Sequence, residues 1–146
     1  DGKSTLSLFE ENYSLKNQLE HELLKAKLQS EASLYEVTYI DKKEGMLILN
    51  DILRGLNKPF KLIDLSLSDS IKHNALIYTR LLHLEEFSIT SGLGFLFSIN
   101  HKDYILNRSR KMLKKMKTGD TSTNRFIVFF HLNRSDGLPI LFEKVN

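Results

Sequence analysis

The feature that most constrains this chain is an apolar stripe along its first forty residues. The members of the stripe recur at spacings of three or four, like residues on one side of a helix: Leu8, Asn12, Leu15, Leu19, Leu23, Ala26, Ser30, Leu34 and Val37. Charged residues flank the stripe, which is typical of a solvated helix with one apolar side. The stripe therefore predicts a long coiled-coil helix that pairs with a second helix.

The partner of this helix is most simply a second copy of the same chain. Asn12 is the polar member near the start, and a single buried Asn in such an interface fixes the register of the two helices. Two alternatives stay open: Asn12 lies at a frayed end and pairs with nothing, or the whole helix packs within its own chain. The predicted dimer interface consists of Leu8, Asn12, Leu15, Leu19, Leu23, Ala26, Leu34 and Val37.

Charge is distributed unevenly along the chain. Residues 1–41 carry eight acidic and four basic residues, a net charge of −4. The remainder carries ten acidic and seventeen basic residues, a net charge of +7. This asymmetry predicts either an anionic partner for the basic part or an electrostatic contact between the two parts.

The composition excludes several kinds of chemistry. The chain contains no Cys, which excludes disulfides, thiolate catalysis and Cys-ligated zinc in this segment. It contains no apolar run near the ~20 residues that a membrane-spanning helix needs. We therefore expect a cytoplasmic protein, with the nucleus as the alternative compartment.

Turn signals and changes of periodicity divide the rest of the chain into short elements. The turn at residues 42–45 separates two apolar runs and predicts a hairpin, unless the first helix continues to Asp41. The later elements predicted are a strand over 60–67, a helix from about 68 to 86, a hairpin over 87–99, a helix over 103–117 and a hairpin over 126–145 that turns at Asp136-Gly137.

Together these elements predict an α+β fold. A dimerising coiled-coil helix occupies residues 1–41, and a basic globular domain occupies residues 42–146. In that domain we expect a small, largely antiparallel sheet with helices packed on one face.

No arrangement of residues predicts catalysis or a bound cofactor. The five His residues include no pair at the i, i+4 spacing of a helical zinc site, and no carboxylate follows a metal-binding pattern near them. Gly92 and Gly94 match only half of a phosphate-binding loop. Glu85 and Glu86 are adjacent, so they point in different directions on a helix. We therefore expect no catalytic residues, no metal and no cofactor; an enzyme whose residues meet only in the folded chain is the alternative.

One segment is a candidate anion-binding site. Within ten positions it carries six basic residues: Arg108, Arg110, Lys111, Lys114, Lys115 and Lys117. Apolar residues are interleaved with them, and a basic amphipathic helix of this kind binds an anionic membrane or a phosphate backbone. The alternative is a helix that packs on the core and keeps its lysines in water. The absence of aromatic residues from the basic face favours this alternative.

The stripe from Leu8 to Val37, followed directly by an α/β pattern, carries a resemblance. In this organisation the chain resembles small eukaryotic scaffold subunits, namely kinetochore subunits with RWD-type heads and the dimerising accessory subunit of the autophagic phosphatidylinositol 3-kinase complex. The resemblance implies a non-enzymatic scaffold that dimerises and links other protein subunits of a complex, with autophagy as one setting. The alternative function is a nucleic-acid or anionic-membrane binding module that uses residues 108–117.

Overall fold

The computed structural model describes residues 5–71, 75–90, 94–116 and 119–138, apart from the side chains of residues 5–15. Helix α1 spans Thr5–Gln29 and leads directly into a long strand, β1, at Glu31–Asp41. The other strands are β2 Met46–Asp51, β3 Phe60–Ile63, β4 Ala75–His83, β5 Ser88–Thr90 and β6 Phe95–Ser98. The other helices are α2 Leu65–Ser70, α3 Lys102–Lys115 and α4 Thr121–Asp136.

Five of these strands close into a barrel. Their order is β1-β2-β3-β5-β4, and β1 pairs with both β2 and β4, which completes the ring. The pairs are antiparallel except for β3 and β5, which are parallel at Leu62 and Ser88. A five-stranded barrel with this order and a short helix after its third strand has the topology of the OB-fold. The fold alone does not define a function.

Strand β1 pairs with two neighbouring strands because it is long and its register contains a shift. Its first half, from Glu31 to Glu36, pairs with β4, and its second half, from Tyr35 to Asp41, pairs with β2. The register with β2 shifts between Val37 and Tyr39. A β-bulge of this kind bends a strand and increases its twist, so β1 can follow the curve of the barrel.

The strands bury alternate side chains in two separate cores. On β1, Tyr35 and Val37 belong to the core inside the barrel, whereas Leu34 belongs to a second core outside it. On β4, Ile77 lies in the inner core and Tyr78 in the outer one. The outer core joins the strands to α3 and α4: Leu34, Leu76, Tyr78, Phe95, Phe97, Ile105, Val128, Phe129 and Leu132.

Helix α2 covers one end of the barrel. Its N-cap, Asp64, accepts a hydrogen bond from the backbone N–H of Leu67 at 2.9 Å and a second from the Thr90 hydroxyl at 3.0 Å. The Asp64 N–H donates to the carbonyl of Gly45 at 2.9 Å, which joins α2 to the β1–β2 turn. Leu67 and Ile71 then enter the inner core.

The structure corrects the predicted coiled coil and the predicted small sheet with helices packed on one face, because the sheet closes into a barrel. No long N-terminal coiled-coil helix is seen; α1 ends at Gln29, and the last two members of the stripe, Leu34 and Val37, are fully buried in β1. The chain therefore changes from helix to strand at residue 30. The helical spacing continued into β1 because residues 33–35 of this strand are buried on both of its faces, so Leu34 and Tyr35 are both apolar, and Val37 falls three residues after Leu34.

Two further elements differ from their predicted type. Residues 75–83, predicted as part of a helix, form β4, because the barrel covers one face of this strand and the outer core the other, which removes the alternation of a half-buried strand. Residues 126–136, predicted as the first strand and the turn of the last hairpin, lie in α4 instead. The Asp120 side chain caps this helix by accepting a hydrogen bond from the Thr123 N–H, and Gly137 ends it. Residues 139–146 of the predicted return strand lie outside the described residues.

Two other predicted elements are confirmed, and a third differs in its pairing. The first hairpin forms between β1 and β2 around the turn at residues 42–45. The helix predicted over 103–117 forms as α3. The strands predicted as a hairpin over 87–99 exist as β5 and β6, but both pair with β4 rather than with each other.

Candidate functional site

Helix α3 carries the predicted basic segment and packs on the outer core through its apolar side. Ile105 and Ser109 are buried, and Met112, Leu113 and Met116 pack against the outer core. Ser109 satisfies its hydroxyl by donating to the carbonyl of Leu106 at 2.9 Å. The amphipathic pattern therefore fixes which side of α3 faces the protein and which faces water.

The opposite side of α3 is exposed and basic. It presents Arg108, Arg110, Lys111, Lys114 and Lys115, while Lys117 lies outside the described residues. None of these five forms an ion pair with another described residue. The cation of α3 that is paired is Lys102, whose Nζ lies 2.7 Å from Glu36 of β1 and joins the helix to the barrel.

Helix α4 packs against α3, and a hydrogen bond joins Tyr104 near the start of α3 to Asp136 at the end of α4; we call the two helices together the helical hairpin. Between residues 99 and 138 the chain carries nine basic and three acidic residues, a net charge of +6, whereas the rest of the chain has a net charge of −3. The entire excess of positive charge therefore belongs to the segment that contains the hairpin. Such a concentration attracts anions and accelerates their association.

One aromatic side chain of this surface was missed in the sequence. Tyr104 is 48% exposed and lies one turn before Arg108. Tyr104, Arg108, Lys111 and Lys115 follow one another at spacings of four, three and four, so they share one side of α3. The hydroxyl of Tyr104 donates to Asp136 of α4 at 3.4 Å, which turns this side toward α4. The i, i+4 spacing from Tyr104 to Arg108 was the sequence signal that identifies it.

A second open surface lies on the barrel itself. The outer face of β2, β3 and the second half of β1, which we call the barrel wall, presents Tyr39, Ile48 and Lys61 as direct cross-strand neighbours. Tyr39 is 52% exposed. Lys42 and Lys43 extend the surface into the β1–β2 turn, although the acidic Asp41 and Glu44 lie among them.

The barrel end opposite α2 contains a buried polar cluster. Asp51 is buried and accepts hydrogen bonds from the Ser33 hydroxyl at 2.7 Å and from Arg54 Nε at 2.6 Å. Arg54 also forms an ion pair with Glu31 at 2.8 Å. The Tyr35 hydroxyl is buried beside this cluster without a hydrogen-bond partner among the described residues. The cluster holds the loop after β2 on the barrel, because both the backbone N–H and the side chain of Arg54 donate to Asp51.

The His residues within the described part of the chain do not assemble into a site. His83 stacks on Phe60 with ring centroids 4.7 Å apart, and its Nδ1 lies 2.7 Å from the Ser88 hydroxyl. Burial, together with the positive charges of Arg54 and Lys58, lowers the pKa of His83. Among the described residues, no group of three or more His, Asp or Glu side chains is placed to hold a metal ion.

The residues of the predicted dimer interface differ in their location and in how far they are buried. Leu8, Asn12 and Leu15 have side chains outside the described part of the chain. Leu19 is exposed, Leu23 is half-buried and Ala26 is buried. Leu34 and Val37 lie in β1, where both side chains are fully buried within the chain. Ser30, the remaining member of the stripe, accepts a hydrogen bond from Arg80 at its carbonyl, at 2.7 Å.

A family model matches residues 1–143 of the chain, which include every described element. The chain belongs to a family of unknown function (DUF7986). Neither the proteins of curated function nor the solved structures include a match to this member of DUF7986. No helix in the described part of the chain is both long and apolar enough to cross a membrane.

We expect Tyr35→Phe to reduce the loss of stability at alkaline pH. Burial, and then the negative charge of Asp51, raises the pKa of Tyr35 to about 12, whereas an unfolded Tyr titrates near ~10. The folded chain therefore keeps a proton that the unfolded chain releases. The contribution of the protonated Tyr35 to the free energy of unfolding is fully present below about pH 10 and is lost as the pH rises toward 12.

The measurement is the free energy of unfolding in urea at about pH 8 and at about pH 11. Tyr39→Phe, which alters an exposed ring, is the matched control and should lose stability as the wild-type chain does. Equal losses in the Tyr35 and Tyr39 variants would show that Tyr35 is not the linked group.

Proposed function

We propose that this chain is a nucleic-acid binding module that uses the exposed basic side of α3. The observation that carries the proposal is a set of five exposed cations on one helix, none of them ion-paired with another described residue. Lys and Arg side chains release condensed counterions when they contact phosphates, and this release supplies most of the sequence-independent affinity for nucleic acid.

The packing of α3 favours nucleic acid over a membrane. An interfacial helix binds lipid by inserting its apolar side between the headgroups. In α3 that side is already occupied: Ile105 is fully buried, and Met112 and Leu113 pack on the outer core. Only the charged side is free, so the helix offers electrostatic attraction without apolar insertion.

The barrel supports the same proposal by analogy of fold. OB-type barrels commonly bind oligonucleotides or oligosaccharides on the face of their second and third strands. Here that face is the barrel wall, which carries Tyr39 and Lys61 but also nearby acidic residues. We rank α3 above the wall because the net positive charge of the chain lies in the helical hairpin.

A second candidate function is that of a protein-binding scaffold subunit, with a second copy of the chain as one partner. Leu24 and Leu28 lie one turn apart on α1 and are 55% and 77% exposed. Exposed leucines at this spacing form an apolar strip that a partner surface would cover. Such a contact involves only side chains of α1 that the structure describes, and it does not require a continuous coiled coil.

The first prediction from the proposed function is a loss of nucleic-acid affinity when α3 is reversed in charge. Lys111→Glu, Lys114→Glu and Lys115→Glu together leave Met112 and Leu113 in place, so the helix should still fold. If three phosphate contacts disappear, the slope of log affinity against log salt should fall by roughly 2 to 3. Fluorescence anisotropy of a labelled oligonucleotide over a range of salt concentrations measures this slope.

The matched control reverses three lysines of the barrel wall and its turn, Lys42, Lys43 and Lys61. Both triple variants change the net charge from +3 to −3, so a general effect of charge is identical in the two. The wall variant should keep most of the wild-type slope. A greater loss in the wall variant, or no wild-type binding at about 150 mM salt, would contradict the proposal.

The scaffold candidate predicts self-association through α1. The wild-type chain at high micromolar concentration should show twice its mass of 16.9 kDa in light scattering. Leu24→Asp with Leu28→Asp should return it to a monomer, because unpaired charges in a dry interface are strongly unfavourable. Lys25→Asp with Lys27→Asp adds acid to the same turns as a control. A monomeric wild-type chain would refute self-association.

A further inference from the structure

We infer that the helical hairpin selects single-stranded over double-stranded nucleic acid, with bases stacked on the exposed rings of Tyr104 and Phe126. This inference rests on the proposed function and specifies its ligand. It starts from two observations that the basic charge alone does not explain: an exposed ring on the basic side of α3 and an exposed aromatic stack on α4.

Tyr104 places a ring within the row of cations. It shares one side of α3 with Arg108, Lys111 and Lys115, and its hydroxyl is directed to Asp136 of α4. The ring is therefore tethered at its far end while about half of its surface faces water. A nucleotide whose phosphate contacts Arg108 has this ring one helical turn away.

Phe126 provides a second ring on α4. It is 44% exposed and stacks on Phe130, with ring centroids 6.2 Å apart and planes inclined by 21°. Behind it lies Phe95 of β6, whose ring centroid is 5.5 Å from that of Phe126. The guanidinium of Arg134 lies 5.7 Å from the centre of the Phe130 ring.

These contacts give the exposed ring a fixed position. Phe126, Phe130 and Arg134 lie at i, i+4 and i+8, so they form one row along α4, supported by the sheet at Phe95. A ring that is already held loses little conformational freedom when a base stacks on it. The row ends in a cation, which adds attraction for a phosphate near the stacked base.

The chemistry of these rings distinguishes single strands from duplexes. In a duplex each base is stacked between its neighbours and paired, so only phosphates and groove edges reach the protein. In a single strand the faces of the bases are free, and proteins that bind single strands combine a basic track with aromatic side chains that stack on them. Both parts are present on the helical hairpin, in residues drawn from two helices.

The test removes the rings and retains the charge. Tyr104→Leu combined with Phe126→Leu keeps apolar side chains at both positions and leaves every Arg and Lys in place. The probes are a fluorescein-labelled oligo-dT of about 15 nucleotides, within the range that such proteins cover, and a labelled duplex of equal length. The thermal unfolding curve of the variant establishes that the hairpin is still folded.

We expect the wild-type chain to bind the single strand more tightly than the duplex. The double variant should bind oligo-dT roughly ten- to a hundredfold more weakly, bind the duplex as before and keep the wild-type salt slope. Tyr39→Leu, which removes the exposed ring of the barrel wall, is the control and should bind both probes as the wild-type chain does.

Three results would overturn the inference. Unchanged oligo-dT binding by the double variant would show that the rings do not stack on bases, while the proposed function would stand. A loss confined to Tyr39→Leu would place the bases on the barrel wall instead. Absence of binding to both probes by the wild-type chain would refute the proposed function together with its single-strand preference.

Discussion

The structure depends on the pairing of one strand with two neighbours. Because β1 pairs with β4 along its first half and with β2 along its second half, five strands close into a barrel. The same strand directs Tyr35 and Val37 into the barrel and Leu34 into the outer core. Closure therefore produces both the inner core and the curved outer surface on which α3 and α4 pack.

The candidate site follows from that second packing surface. The outer core takes the apolar side of α3, including Ile105 and Met112, and the ion pair between Lys102 and Glu36 joins the start of the helix to β1. The basic side is then held outward at a fixed angle, and α4 is placed beside it with the ring of Phe126 exposed. The hairpin therefore combines the charge of α3 with an exposed ring on each of its two helices, Tyr104 and Phe126, although these residues are separated along the chain.

Part of this arrangement could be predicted from the sequence, and part could not. The turn at residues 42–45 and the amphipathic pattern of α3 are local, so both were predicted correctly. Secondary structure was predicted wrongly from apolar spacing where a strand is buried on both faces. Such segments of β1 and β4 lack the alternation of a half-buried strand, and the spacing of Leu34 and Val37 in β1 resembles that of a helix. Phe126 to Leu132 have a β-like composition, but the cap at Asp120 and the burial of Val128, Phe129 and Leu132 on one side select a helix. The contact between Tyr104 and α4 depends on the fold. In the sequence, only the i, i+4 spacing of Tyr104 from Arg108 indicated that Tyr104 lies on the basic side of α3.

The most direct measurement of the central claim is a map of backbone amide NMR shifts in isotope-labelled protein titrated with oligo-dT. If the helical hairpin is the nucleic-acid interface, the shifts should concentrate in residues 102–115 and 121–136, with little change across the barrel wall. Shifts confined to residues 39–63, or no shifts at concentrations where anisotropy reports binding, would contradict the account.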